Sequence, residues 1–129
     1  MRPNEISYKV IGAAMAVHSA LGAGLLESAY EKALCLEFTQ INLTYRRQVP
    51  LPVEYRGAKI SPAYRIDFVI EDRVVVEVKA ADKILPVHRE QLLTYIKLAK
   101  LPLGLLLNFK VAHMRDGIVR LINAPEVDL

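Results

Sequence analysis

Tyr64-Arg65-Ile66-Asp67-Phe68-Val69-Ile70 and Val74-Val75-Val76-Glu77-Val78-Lys79, joined by the polar Glu71-Asp72-Arg73, decide the fold. Both runs are rich in β-formers, and the first alternates at its centre. Ile66, Phe68 and Ile70 fall on one face and Arg65, Asp67 and Val69 on the other. In the second run Val74, Val76 and Val78 share a face, and Val75, Glu77 and Lys79 share the opposite one. A connection over residues 71–73 sets Ile70 across from Val74, and therefore Asp67 across from Glu77, with Cβ atoms ~5 Å apart. A connection one residue shorter opposes Asp67 to Val76 and scrambles the faces. The pattern predicts an antiparallel pair that gathers two carboxylates and Lys79. Such carboxylates are costly on buried strands, and like charges directly opposed destabilise a sheet. Lys79 offsets part of that cost. A divalent cation would offset more, because Mg2+ is commonly held by one or two carboxylates plus waters and phosphate. The bland alternative is a solvated strand pair with a surface ion pair.

Upstream, Ile6, Val10, Ala13, Val17 and Leu21 recur at helical spacing, predicting a helix over 4–21 with Asn4 as N-cap and Gly22 and Gly24 as stop signals. Leu26, Tyr30, Ala33 and Leu34 predict a second helix over 25–40. Residues 43–55 favour a strand but hold Pro50 and Pro52, which suits an edge or interrupted strand, and Arg56-Gly57 marks a turn. Downstream, Pro86 opens a helix over 86–100, with Leu92, Leu93, Ile96 and Ala99 at helical spacing. Leu103–Phe109 reads as a buried strand. Val111–Met114 and Ile118–Ile122 flank Asp116-Gly117, a hairpin turn signal. The expected order is α-α-β-β-β-α-β-β in a single mixed α/β domain, residues 1–129.

Composition bounds the function classes. The chain of 129 residues is 53% apolar and 24% charged, which excludes intrinsic disorder. Its one cysteine, Cys35, excludes an internal disulfide framework, a Cys-rich zinc site and a four-cysteine iron–sulfur cluster. No secretion signal or membrane-length apolar run is visible, so a soluble cytoplasmic protein is expected. Basic and acidic residues cancel over 1–78, nine against nine, whereas 79–120 hold eight basic against three acidic side chains. That excess suits a phosphate-bearing partner, although on charge alone scattered lysines kept for solubility are the simpler explanation.

Two further patterns bear on the carboxylates. Gly24-Leu25-Leu26-Glu27-Ser28-Ala29-Tyr30 puts Glu27 at the start of a helix with Tyr30 one turn on, and Gln91 and Tyr95 share one face of the later helix. The run Gly24-x-x-Glu27-x-x-Tyr30 resembles the signature of the GxxExxY proteins, a family placed in the PD-(D/E)xK nuclease superfamily. Asp67 and Glu77-x-Lys79 resemble that superfamily's acidic and Glu-x-Lys motifs, and Gln91-x-x-x-Tyr95 is similar to the Gln-x-x-x-Tyr motif of its RecB-like branch. The resemblance implies a restriction-endonuclease-like α/β core, with a central mixed four- to five-stranded sheet flanked by helices, and one or two Mg2+ or Mn2+ at the sheet's mouth. By the same resemblance Asp67 and Glu77 are the principal metal ligands, helped by the backbone carbonyl of Val78. Glu27 is an additional ligand or stands behind one. Lys79 positions or deprotonates the attacking water, and Gln91 and Tyr95 orient the site or contact DNA. Ile66 stands where the superfamily's name has Pro.

The implied activity is metal-dependent hydrolysis of DNA phosphodiester bonds. The alternative is a non-catalytic module that binds nucleic acid or protein and retains the fold. A third reading is a structural α/β domain with an incidental acidic cluster. The chain is close to a bare core, so target choice is expected from loops, from pairing of two copies or from a protein partner, with no membrane involved. Tyr30 is expected as a core aromatic with a satisfied hydroxyl, His18 and His88 as ordinary helix histidines, and Cys35 as a small buried hydrophobe. Arg46, Arg47 and Arg65 suit either a solvated face or a nucleic-acid backbone.

Overall fold

The computed structural model describes residues 1–60 and 64–129 in full, and residues 61–63 by their strand backbone. Helices α1 (Pro3–Leu21) and α2 (Glu27–Gln40) precede strands β1 (Tyr45–Tyr55), β2 (Ala58–Ile70) and β3 (Val74–Lys79). Helix α3 (Pro86–Ala99) then leads to β4 (Leu103–Asn108) and β5 (Ile118–Ile122). The strands form one five-stranded sheet in the order β1-β2-β3-β4-β5. Only β3 and β4 run parallel, joined by the α3 crossover that a parallel connection demands.

Helices cover both faces of the sheet. On one, α1 and α2 bring Ile6, Val10, Leu34 and Phe38 onto Phe68, Ile70, Val76 and Leu105. On the other, Leu92, Tyr95 and Ile96 of α3 pack on Leu51, Ile66, Val75 and Leu106. Strands β3 and β4, covered on both sides, are accordingly near-continuous Val and Leu. The α/β class, the element order and the mixed sheet agree with expectation. So does the edge position of β1, whose register shifts between Leu51 and Val53 around Pro52.

Some local expectations fail, each for a physical reason. Helix α1 starts at Pro3, with Arg2 in the N-cap position. Proline at the first helical residue already has its fixed φ and needs no N–H there. Asn4 instead accepts a hydrogen bond from Arg120. Helix α2 starts at Glu27, not at 25. Strand β2 begins at Ala58, well before Tyr64, because Arg56 and Gly57 take left-handed backbone and fold β1 directly onto it.

The hairpin expected at Asp116-Gly117 does not form. Residues 114–117 make a 3-10 turn, Val111–Met114 is not a strand, and β5 pairs with β4. Gly117 is required there by close approach: a Cβ would lie 2.0 Å from the backbone oxygen of Asn108.

Ile66 does not share a face with Phe68 and Ile70. It packs with Val69 in the cluster under α3, while Phe68 and Ile70 face α1 and α2. Strand β1 switches sides at the same level: Tyr45 packs with the first cluster, Val49 and Leu51 with the second. Between them Gln48 takes a left-handed backbone, φ 49°, costing a non-glycine residue ~1–2 kcal/mol. The faces exchange across Gln48 and Asp67.

Because no side chain can move aside for a clash with backbone, Gly117→Ala should cost more than ~2 kcal/mol in urea unfolding. Gly24→Ala, whose Cβ would enter open space, should leave the midpoint within experimental error.

Candidate active site

The β2–β3 ladder pairs Ile70 with Val74, Val69 with Val75 and Phe68 with Val76. At Asp67 and Glu77 the carboxylates take over from the backbone. The Asp67 N–H donates to Glu77 Oε2 at 2.7 Å, and the Val78 N–H donates to Asp67 Oδ2 at 2.8 Å. Two N–H groups that would be orphaned as the strands part are thus satisfied by side chains. The expected meeting of Asp67 with Glu77 occurs, and each carboxylate in addition takes a backbone N–H of the facing strand.

Glu77 is buried, with 5% of its surface exposed. Burial, and then the charge of Asp67, push its carboxyl up to about 8, against opposing help from the Asp67 N–H and the Lys79 charge. Lys79, two residues on at the end of β3, is half-buried and within electrostatic reach of Glu77.

Two residues absent from the sequence reading join the cluster. Gln48 Nε2 donates to Glu31 Oε1 at 2.9 Å and lies 3.5 Å from Asp67 Oδ1. Glu31, on α2, is also 3.9 Å from Arg47, and its side chain is only 12% exposed. Burial and the Asp67 charge raise its carboxyl above the usual range. Its signal was present: Glu31 is four residues after Glu27 and shares its helix face. Gln48 had no comparable signal, because its position follows from an irregular backbone.

Glu27 is exposed at the first residue of α2, in a cleft of about 280 Å3 with Gly24, Ala80 and Lys110. Its charge reaches Glu31. Tyr30 explains its own place in the motif. Its ring stacks on Phe109 with centroids 4.4 Å apart; its hydroxyl donates to Gly22 O at 2.6 Å and accepts the Leu25 N–H at 3.1 Å. It ties down the 22–26 connection from which Glu27 departs.

From α3, Gln91 Nε2 donates to the Tyr95 hydroxyl at 3.0 Å. Burial and then the charge of Glu77 raise the Tyr95 hydroxyl above its usual pKa, with a smaller push from Asp67, so Tyr95 lies within electrostatic reach of both carboxylates.

The remaining candidates have structural partners. His18 Nε2 bonds the Val111 carbonyl at 2.8 Å, and a carbonyl acceptor requires that nitrogen to carry the proton. His88 Nδ1 accepts the Leu85 N–H at the start of α3. Arg46 pairs with Asp72 at the surface, Arg65 is exposed, and Cys35 is half-buried against the core.

The donors suit a hard cation. One oxygen of each central carboxylate is committed to an N–H, leaving Asp67 Oδ1 and Glu77 Oε1 outside those bonds. Among the described residues no three His, Cys, Asp or Glu side chains converge on a metal position. Two carboxylates alone do not enclose a cation, so water or phosphate would have to complete any coordination there.

The model of the PD-(D/E)XK nuclease superfamily matches residues 4–121. The chain belongs to the PD-(D/E)XK nuclease superfamily. Its sheet and flanking helices are those of a restriction-endonuclease-like core. The crystal structure of SSO0001 is similar over 95% of this chain and 63% of that one, with a TM-score of 0.50 and 22% identity, a likeness of fold alone. No curated protein matches the chain. Among the described residues no helix is long and apolar enough to cross a membrane.

The Glu77 shift fixes a pH dependence. Its folded pKa of about 8 lies above its ordinary 4.5, so the folded state binds more protons between those values. This contribution is fully present below pH 4.5 and is lost as pH rises toward 8, with a limiting slope of ~1.4 kcal/mol per pH unit. Urea unfolding across this range should show the loss in wild type and a flatter profile in Glu77→Gln. Asp67→Asn, which can still accept the Val78 N–H, should be more stable than Asp67→Ala by ~1–2 kcal/mol.

Proposed function

We propose that the protein is a metal-dependent nuclease that hydrolyses DNA phosphodiester bonds, with Mg2+ or Mn2+ as cofactor. The observation carrying this reading is the convergence of Asp67, Glu77 and Lys79 where the β2–β3 ladder opens. Asp67 and Glu77, with the Val78 carbonyl, would hold the metal. When bound, the metal supplies positive charge for the phosphate and lowers the pKa of a water. Lys79 would position that water or take its proton, and would stabilise charge developing on the phosphate. Hydrolysis forms a bond from the water oxygen to phosphorus and breaks one P–O ester bond, the leaving oxygen ending protonated.

Glu27 and Glu31, on one face of α2, would act around this centre, Glu31 through Gln48 and Asp67. Gln91 and Tyr95 would orient the site or touch DNA. The Gly24, Glu27 and Tyr30 spacing supports assignment to the GxxExxY group, and the Gln91–Tyr95 bond supports the RecB-like branch. Pairing of two copies, or a separate protein partner, would supply target choice, and a cytoplasmic location fits these partners. The second reading, a non-catalytic nucleic-acid- or protein-binding module, draws on the mild overall charge of +3.

Labelled single- and double-stranded DNA, incubated with Mg2+ or Mn2+, checks this. Wild type should cut, and Lys79→Ala should lose at least about a hundredfold in rate, an electrostatic contribution of ~3 kcal/mol. DNA binding without cutting in wild type supports the binding module instead. Asp67→Asn should also abolish the metal-induced rise in melting temperature.

A further inference from the structure

Beside the carboxylates, on the α3 side, lies a cleft of about 280 Å3 lined by Val53, Tyr64, Gln91, Thr94, Tyr95 and Leu98. That volume is below the usual range for drug-sized ligands and suits one flat ring system. Its chemistry is equally specific. Tyr64 and Tyr95 stand with ring centroids 6.4 Å apart and planes inclined by 58°, so they do not fill the space by stacking on each other. Tyr64 is 40% exposed, leaving aromatic surface open, and Val53 and Leu98 supply apolar walls. The amide of Gln91 and the hydroxyls of Thr94 and Tyr95 offer donors and acceptors at the rim.

Tyr95 is the wall shared with the candidate active site. Tyr64 is three residues from Asp67 on β2, ~10 Å along the strand. A nucleotide or two of extended chain covers that distance.

We infer that this cleft is a nucleobase-binding subsite: it takes one unpaired base of a single-stranded DNA segment, stacked on Tyr64, while the adjoining phosphate lies at the carboxylates. The inference rests on the proposed nuclease reading for its substrate class and adds to it the strand form and the anchoring residue. A paired base cannot enter, because its edges are occupied and its faces are covered by neighbours. The subsite therefore favours frayed ends and single strands over intact duplex. It tolerates base identity, as stacking platforms do.

The test separates this subsite from the chemistry. Binding of a fluorescein-labelled oligothymidine is followed by anisotropy with Ca2+ in place of Mg2+, alongside a duplex of equal length. Tyr64→Ala should weaken single-strand binding about tenfold and leave duplex binding unchanged, the fold-change of a single lost base stack. Tyr64→Phe should bind as wild type. Thr94→Tyr, which fills the cleft from the exposed surface of α3, should reproduce the loss without touching the sheet. Equal weakening for both strand forms, or no weakening in either blocking variant, overturns the subsite. Failure of wild type to cut DNA with Mg2+ overturns the nuclease reading separately, because the anisotropy measurement requires no cleavage.

Discussion

Two backbone N–H groups, those of Asp67 and Val78, sit where β2 and β3 part, and each donates to the other strand's carboxylate. The rest of the site depends on this exchange. It lets a sheet buried on both faces end in acidic side chains without orphaned donors. It also fixes both carboxylates by hydrogen bonds of 2.7 and 2.8 Å, so their remaining oxygens are held in place by the ladder itself. The cost falls on Glu77, whose burial and whose neighbour Asp67 disfavour its charged form. A site strained electrostatically in this way is poised to gain from a cation.

Asp67 is also where a second constraint meets the first. Gln48, in left-handed backbone, lets β1 and β2 exchange faces at this level, and its amide links Asp67 to Glu31. Backbone strain and a side-chain link between two acidic residues coincide at Gln48. Farther out, Tyr30 holds the α1–α2 connection by two hydrogen bonds and a stacked Phe109. The tyrosine of the motif thus supports the acidic residue of the same motif by fixing the chain around it.

The features legible in the sequence were those set by periodicity. Val74 to Val78 and Leu103 to Leu107 declared themselves as central strands by apolar continuity. The loop at 71–73 fixed the register that brings Asp67 to Glu77, and the structure keeps it. What escaped was set by departures from periodicity. Nothing in the alternation of Arg65 to Ile70 announces the switch of faces, which is imposed by a left-handed residue on the neighbouring strand. Asp116-Gly117 carried a strong turn signal, yet the close approach of Gly117 to Asn108 O uses that glycine for packing. Glu31 lay in plain helical register with Glu27, but only Gln48, contributed by another strand, ties it to Asp67.

Strand β1 has one more consequence. It forms an open edge of the sheet and carries proline at two alternate positions, Pro50 and Pro52. Neither proline has an N–H to offer a strand approaching from outside. A foreign strand approaching this edge finds acceptors without the donors that would complete its hydrogen bonding. The long hairpin arm is thereby protected against edge-to-edge aggregation, a hazard of any exposed β edge. Strand addition is disfavoured along this part of the rim, and the other edge of the sheet is β5.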